Sequence, residues 1–139
     1  MNRYTSTEAG VTTGTRLGDP DDVVAETVGR PASELELRLV EDGVDVAEGE
    51  VGEILVRSPM VMAGYWQDPD LTATVLDADG WLHTGDLARR DERGDLRIVG
   101  RLKEMNIRGG YNVYRRRWNT SWPTIRSWSA SRSSAHRLR

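Results

Sequence analysis

The sequence has no cysteine, no phenylalanine, one lysine (Lys103) and two histidines (His83 and His136). Without cysteine there is no disulfide framework, no thiolate nucleophile and no zinc–thiolate site. Two histidines leave little scope for a histidine-ligated metal. No apolar run approaches the ~18 residues that read as a bilayer-spanning helix, so no membrane span is expected. The polar start after Met1 lacks the basic-then-apolar pattern of a secretory leader, and a cytoplasmic location is the expectation. Only 37% of the 139 residues are apolar and 29% are charged, which fits one ordinary domain or less, with a modest core. All basic residues but Lys103 are arginine, a bias that points to GC-rich codons rather than to a physical demand.

The net charge of -3 hides an uneven distribution. Residues 1–114 carry 12 basic and 22 acidic side chains, whereas residues 115–139 carry seven arginines and no acid. This tail also holds six serines, Trp118, Trp122 and Trp128, but only Ile125 and Leu138 as aliphatics. Such a segment buries too little apolar surface to offset its chain entropy, so it reads as disordered, with a boundary near Tyr114.

Residues 1–31 read as loop: the stretch from Thr5 to Thr15 is rich in Thr and Gly, and Gly18-Asp19-Pro20-Asp21-Asp22 is a turn signal. Leu35, Leu37 and Leu39 alternate with Glu36 and Arg38, the period of a half-buried strand. Glu41-Asp42-Gly43 signals a turn, and Glu53-Ile54-Leu55-Val56-Arg57 a second strand. Asp68 as N-cap and Pro69 at the first helical position open a short helix through Val75. Short strands are expected at residues 86–90 and 96–99, and residues 107–113 turn about Gly109-Gly110. The pattern is mainly β with short helices, and implies a small antiparallel β-barrel or sheet.

Several clusters could carry chemistry. Thr5-Ser6-Thr7-Glu8 offers hydroxyls for phosphate oxygens and a carboxylate for magnesium, or is simply a polar loop. In Thr84-Gly85-Asp86 a carboxylate could accept hydrogen bonds from a sugar diol, as an acidic residue does on ribose, or could cap a turn. Gly100-Arg101-Leu102-Lys103-Glu104 ends a strand with two cations, and the planar fork of Arg101 suits a hydroxyl or phosphate, or decorates a solvated edge. The tail could stack on bases and hold phosphates, or be a solvated end. His83, alone on a strand, reads as a packing residue.

In order, these pieces resemble the adenylate-forming (AMP-binding) superfamily, in its acyl-CoA synthetase and fatty-acid–CoA ligase branch. The motifs are Tyr4-Thr5-Ser6-Thr7-Glu8, with Thr5 where the family has Gly, then Val28-Gly29-Arg30-Pro31, Gly49-Glu50-Val51-Gly52-Glu53-Ile54 and Gly64-Tyr65-Trp66. They continue with Gly80-Trp81-Leu82-His83-Thr84-Gly85-Asp86-Leu87, Gly100-Arg101-Leu102-Lys103-Glu104 and Gly109-Gly110-Tyr111-Asn112-Val113-Tyr114. The resemblance implies a carboxylic acid substrate, ATP and AMP, Mg2+ and CoA: the acid attacks the α-phosphate to give an acyl-adenylate, and the CoA thiol then displaces AMP. It further implies that Tyr4 stacks on or flanks adenine, Thr7 contacts phosphate, Glu8 binds magnesium, and Asp86 and Arg101 hold the ribose. Lys103 falls at a hinge, and Gly109 and Gly110 line the pantetheine path.

The resemblance divides the chain into the C-terminal part of a large AMP-binding domain (residues 1–100, the β-barrel subdomain), a hinge with the start of a small domain (residues 101–114), and the basic tail (residues 115–139). The family's phosphate loop and catalytic lysine have no counterpart here. A fragment inactive on its own is therefore expected, with a non-catalytic remnant or interaction module as the alternative and a basic-tailed nucleic-acid binder as a third reading. After Tyr114 the family continues Pro-Ala-Glu-Val-Glu. Permitted codons for Arg115-Arg116-Arg117-Trp118-Asn119 give that run when read one base earlier, so the tail is expected to be out-of-frame translation.

Overall fold

The computed structural model describes residues 1–104, 106–108 and 111–113. It is mainly β with two short helices. Strand β1 (Arg3–Ser6) is followed by β2 (Gly10–Gly14), helix α1 (Asp21–Glu26) and the short β3 (Arg30–Pro31). Next come β4 (Glu36–Glu41), β5 (Val44–Asp45), β6 (Val51–Arg57) and helix α2 (Pro69–Val75). Strands β7 (Leu82–Arg90) and β8 (Leu96–Arg101) lead into a 3₁₀ turn at Leu102–Glu104. Strands β9 (Asn106–Arg108) and β10 (Tyr111–Val113) then pair antiparallel.

Residues 1–31, expected to be loop, instead contain three strands and a helix. The reason lies in the threonines. Thr12, Thr13 and Thr15 are buried, and their hydroxyls are satisfied by main chain. Thr12 Oγ1 donates to the Tyr4 carbonyl (3.0 Å), Thr13 Oγ1 donates to the Val28 carbonyl (2.7 Å), and Thr15 Oγ1 accepts from Asn2 N (2.7 Å). β-Branched residues suit a pleated strand, and a bonded hydroxyl can be buried where a free one would cost energy. A polar sequence thus forms an inner strand.

Elsewhere the sequence pattern holds. The alternation along β4 puts Leu37 and Leu39 on the face that packs with Ile54 and Val56 of β6. Arg38 and Val40 lie on the opposite face, where Val40 packs with Leu55 and Trp81. Two guanidinium groups cover the Trp81 ring, Arg57 at 4.6 Å and Arg38 at 5.4 Å from its centroid. At α2 the Asp68 carboxylate accepts the Leu71 amide at 2.9 Å, and Pro69 takes the first helical position.

The large sheet runs β5-β4-β6-β7-β8, antiparallel throughout, and the small one runs β1-β2-β3. The large sheet stays open among the described residues, so the expected closure into a barrel is not seen. Instead, the small sheet is joined to β8 by the segment before β3. Val28 N donates to the Leu96 carbonyl (2.8 Å) and Leu96 N donates to the Gly29 carbonyl (2.9 Å). Gly29 makes this junction possible. Its φ is +73°, and a Cβ there would lie 2.1 Å from main-chain atoms of Gly14, so no other residue fits. The core beneath contains Leu39, Ile54, Ala88 and Leu96, with Tyr4 and Val28 packed against it. Ile54 and Leu96 are fully buried, each contributing about 1.5–3 kcal/mol of transfer free energy.

Candidate functional site

The pairing of β6 with β7 contains an irregularity that builds the site. Glu53 stands opposite Leu87, yet Leu55 stands opposite His83. Thr84, Gly85 and Asp86 therefore face Ile54 alone, as a bulge in β7. The sequence pattern starts a strand at Asp86, whereas the structure puts all three residues inside a nine-residue strand. Bulges re-aim side chains next to functional clefts, and this one presents Asp86 to its neighbours on β1 and β8.

Three main-chain groups at the bulge have side-chain partners. Thr84 Oγ1 donates to the Ile54 carbonyl (2.8 Å) and accepts from Asp86 N (3.1 Å). Glu53 Oε1 accepts the Gly85 amide at 2.9 Å, and Glu53 Oε2 lies 3.1 Å from His83 Nδ1. Gly85 has φ +71°, which favours glycine, and open space where a Cβ would stand, so a ligand can approach the backbone.

Asp86 is the centre of the arrangement. Its side chain is 11% exposed. Asp86 pairs in register with Arg101 at the end of β8, and Arg101 Nε donates to Asp86 Oδ1 at 2.7 Å. Tyr4, from β1, donates its hydroxyl to Asp86 Oδ2 at 2.6 Å. Burial, then the hydrogen bond to Asp86, pushes the Tyr4 phenol well above its ordinary pKa, so it stays a donor. A carboxylate has about four acceptor positions, so with Tyr4 and Arg101 bound Asp86 can still accept from a vicinal diol.

A cleft of about 730 Å³ opens beside these residues, lined by Ser6, Glu8, Tyr65, Asp86, Arg101 and Lys103 among others. Glu8 is half-buried, and Oε1 accepts the Tyr65 hydroxyl at 3.2 Å. Burial, then this contact, raises the Tyr65 pKa. Lys103, exposed in the 3₁₀ turn, lies on the cleft rim.

The structure brings together Tyr4, Glu8, Asp86, Arg101 and Lys103. Thr7 is exposed at the bend after β1 and is not among the cleft-lining residues, whereas Ser6 and Glu8 on either side are. The Tyr4 ring packs against the core, and its hydroxyl holds Asp86, a contact not foreseen from sequence. Thr5 is exposed at an irregularity between β1 and β2 and is not among the non-glycine residues with positive φ. Gly109 and Gly110 lie outside the described residues, between β9 and β10, as does the tail. Sequence reasoning missed Glu53, Tyr65 and His83 as cleft residues. Tyr65 could be found from the Gly64-Tyr65-Trp66 motif and Glu53 from the Gly49-Glu50-Val51-Gly52-Glu53-Ile54 motif, but the link from Glu53 to Gly85 depends on a register slip.

Residues 1–66 match the family model described as AMP-binding enzyme. The chain is 48% identical over 115 residues to the 3-[(3aS,4S,7aS)-7a-methyl-1,5-dioxo-octahydro-1H-inden-4-yl]propanoyl:CoA ligase of Mycobacterium tuberculosis, covering 82% of this chain and 21% of that protein. It is 52% identical over 89 residues to the long-chain-fatty-acid–CoA ligase of Salmonella typhimurium, covering 63% of this chain and 16% of that protein. The crystal structure of ATP-bound MatB from Rhodopseudomonas palustris is similar with a TM-score of 0.76 at 36% identity, over 87% of this chain and 25% of that one. The chain thus spans about a fifth of the length of the curated relatives it matches.

Proposed function

Because the chain belongs to the adenylate-forming family of AMP-binding enzymes, we propose that it supplies the ribose-facing wall of the nucleotide cleft in an ATP-dependent acyl-CoA synthetase. The reaction joins a carboxylic acid to ATP, giving an acyl-adenylate and pyrophosphate, and the CoA thiol then takes the acyl group and releases AMP. The observation that carries this reading is the Asp86 carboxylate, oriented from two sides by Tyr4 and Arg101 beside an open cleft. The ATP-bound state of the MatB relative supports a nucleotide as the occupant.

Asp86 accepts hydrogen bonds from the ribose hydroxyls, and Arg101 lies beside the same sugar. Tyr4 keeps Asp86 aimed through its hydroxyl and stacks on or flanks the adenine. Thr7 reaches a phosphate oxygen once the nucleotide is bound. Lys103 marks the pivot about which the small domain turns, and Gly109 and Gly110 line the path of the pantetheine arm.

Glu8 fits a single-oxygen role toward magnesium. Tyr65 engages one carboxylate oxygen, leaving the other for a hard cation. Among the described residues no group of three His, Cys, Asp or Glu could hold a metal alone. That agrees with Mg2+, which is bound through one or two carboxylates plus substrate phosphates. The ion supplies charge neutralisation to the phosphates.

On this reading the 139 residues bind and orient, while turnover needs parts of the enzyme beyond them. Titration of AMP into the 15N-labelled chain tests it. Amide shifts at Gly85, Asp86 and Arg101 that are abolished by Asp86→Ala are the expected result. Shifts scattered over the surface, or none, contradict it, and ATP–pyrophosphate exchange by the chain alone would refute the claim that it only binds.

A further inference from the structure

We infer that Glu53 is the positioning residue that latches the Thr84-Gly85-Asp86 bulge and so fixes the direction of the Asp86 carboxylate. The inference deepens the proposed role of Asp86 and takes its functional meaning from that reading. Three residues of β7 face one of β6, so the regular ladder has no partner for the Gly85 amide. The Gly85 amide is part-buried at the cleft wall, and a glycine with φ +71° has several other conformations within reach. Glu53 removes that freedom. One carboxylate oxygen accepts the Gly85 amide at 2.9 Å and the other meets His83 Nδ1 at 3.1 Å.

The latch is itself held in place. The Glu53 side chain is 17% exposed. His83 Nε2 lies 3.9 Å from Asp77 Oδ2, and Asp77 Oδ1 accepts the Trp81 and Asp79 amides. A chain of polar contacts therefore runs from the 77–81 turn through His83 and Glu53 to Gly85, one residue before Asp86. Thr84 fastens the other side of the bulge through Ile54 and Asp86 N. Glu53 touches none of the groups proposed to meet the nucleotide directly; it acts through the backbone.

The test is amide hydrogen exchange in the full chain, read by NMR for the native sequence, Glu53→Ala and Glu53→Gln. Glutamine keeps a carbonyl oxygen for Gly85, and its amide can donate to a His83 tautomer protonated on Nε2. The expected result is Gly85 exchange faster by about tenfold or more in Glu53→Ala, with Glu53→Gln restored to near the native rate and the Leu39 and Ile54 amides unchanged in both. Should Glu53→Ala not fold, Glu53→Asp takes its place: its carboxylate is one methylene too short, so Gly85 should be released equally. Unchanged Gly85 exchange in Glu53→Ala or Glu53→Asp, or equal acceleration in Glu53→Gln, overturns the proposal. An AMP titration of the same samples adds a separate readout. The Asp86 response should be lost in Glu53→Ala and kept in Glu53→Gln, and a response kept in both overturns the latch. Absence of any AMP response in the native chain would sink the nucleotide reading, while the exchange rates still decide on Glu53.

Discussion

The phenolic oxygen of Tyr4 lies 2.6 Å from Oδ2 of Asp86, although 82 residues separate them in the chain. The contact ties the first strand of the small sheet to the bulge of the large one, so it serves both stability and the aim of the carboxylate. Removing the hydroxyl in Tyr4→Phe keeps the ring in the core and deletes one hydrogen bond to a charged group. The expected loss is about 1.5–3 kcal/mol of unfolding free energy. Urea denaturation checks it, and an unchanged midpoint would show that the contact is not made in solution.

The same bond gives a pH dependence. Burial and the Asp86 hydrogen bond raise the Tyr4 phenol in the folded state, so the unfolded chain releases that proton first as the pH climbs. The associated stability is fully present below about pH 10 and declines as pH rises from there toward the higher folded value. Tyr65 shifts in the same direction and adds to the decline. Stability measured against pH in the alkaline range should therefore fall less steeply in Tyr4→Phe than in the native chain. Parallel curves would contradict the assignment.

Two glycines should respond differently to alanine. At Gly29 a Cβ would meet main chain of Gly14 at 2.1 Å, so Gly29→Ala should separate the small sheet from β8 and abolish cooperative unfolding. At Gly85 the space is open, and Gly85→Ala should cost only the left-handed backbone penalty of about 1–2 kcal/mol. Thermal unfolding of the two variants side by side checks the contrast. Equal effects would mean that the junction at Gly29 is looser than described.

How far the sequence foretold this structure depends on whether the information is local. The α2 helix was legible because Asp68, Pro69 and the helix itself are adjacent. The β4 strand was legible because Leu37 and Leu39 alternate with polar residues. Ordered motifs singled out Asp86 and Arg101, while the ion pair between them exists only once β7 and β8 pair. The inner strand β2 was not legible, because the carbonyls that satisfy Thr12 and Thr13 come from Tyr4 and Val28. Nor was Glu53, because its link to Gly85 exists only after β6 and β7 have slipped register.

We hold residues 115–139 to be translated out of frame after one base was lost from a run of C following the Tyr114 codon. The coding sequence checks this. Read one base earlier, the codons for residues 115–119 should spell Pro-Ala-Glu-Val-Glu. Codons that cannot encode that run in the shifted frame would end the idea and return the tail to consideration as a basic arm, with the salt-dependent nucleic-acid affinity such an arm carries.

The claim that Asp86 grips a ribose diol is tested most directly by comparing adenosine with 2′,3′-dideoxyadenosine in equilibrium binding to the native chain and to Asp86→Ala. Hydrogen bonds to a charged group contribute about 1.5–3 kcal/mol, so the native chain should prefer adenosine by roughly 10- to 100-fold and Asp86→Ala should bind both equally weakly. Equal affinity of the native chain for the two nucleosides, or a preference for adenosine that survives Asp86→Ala, would contradict the account.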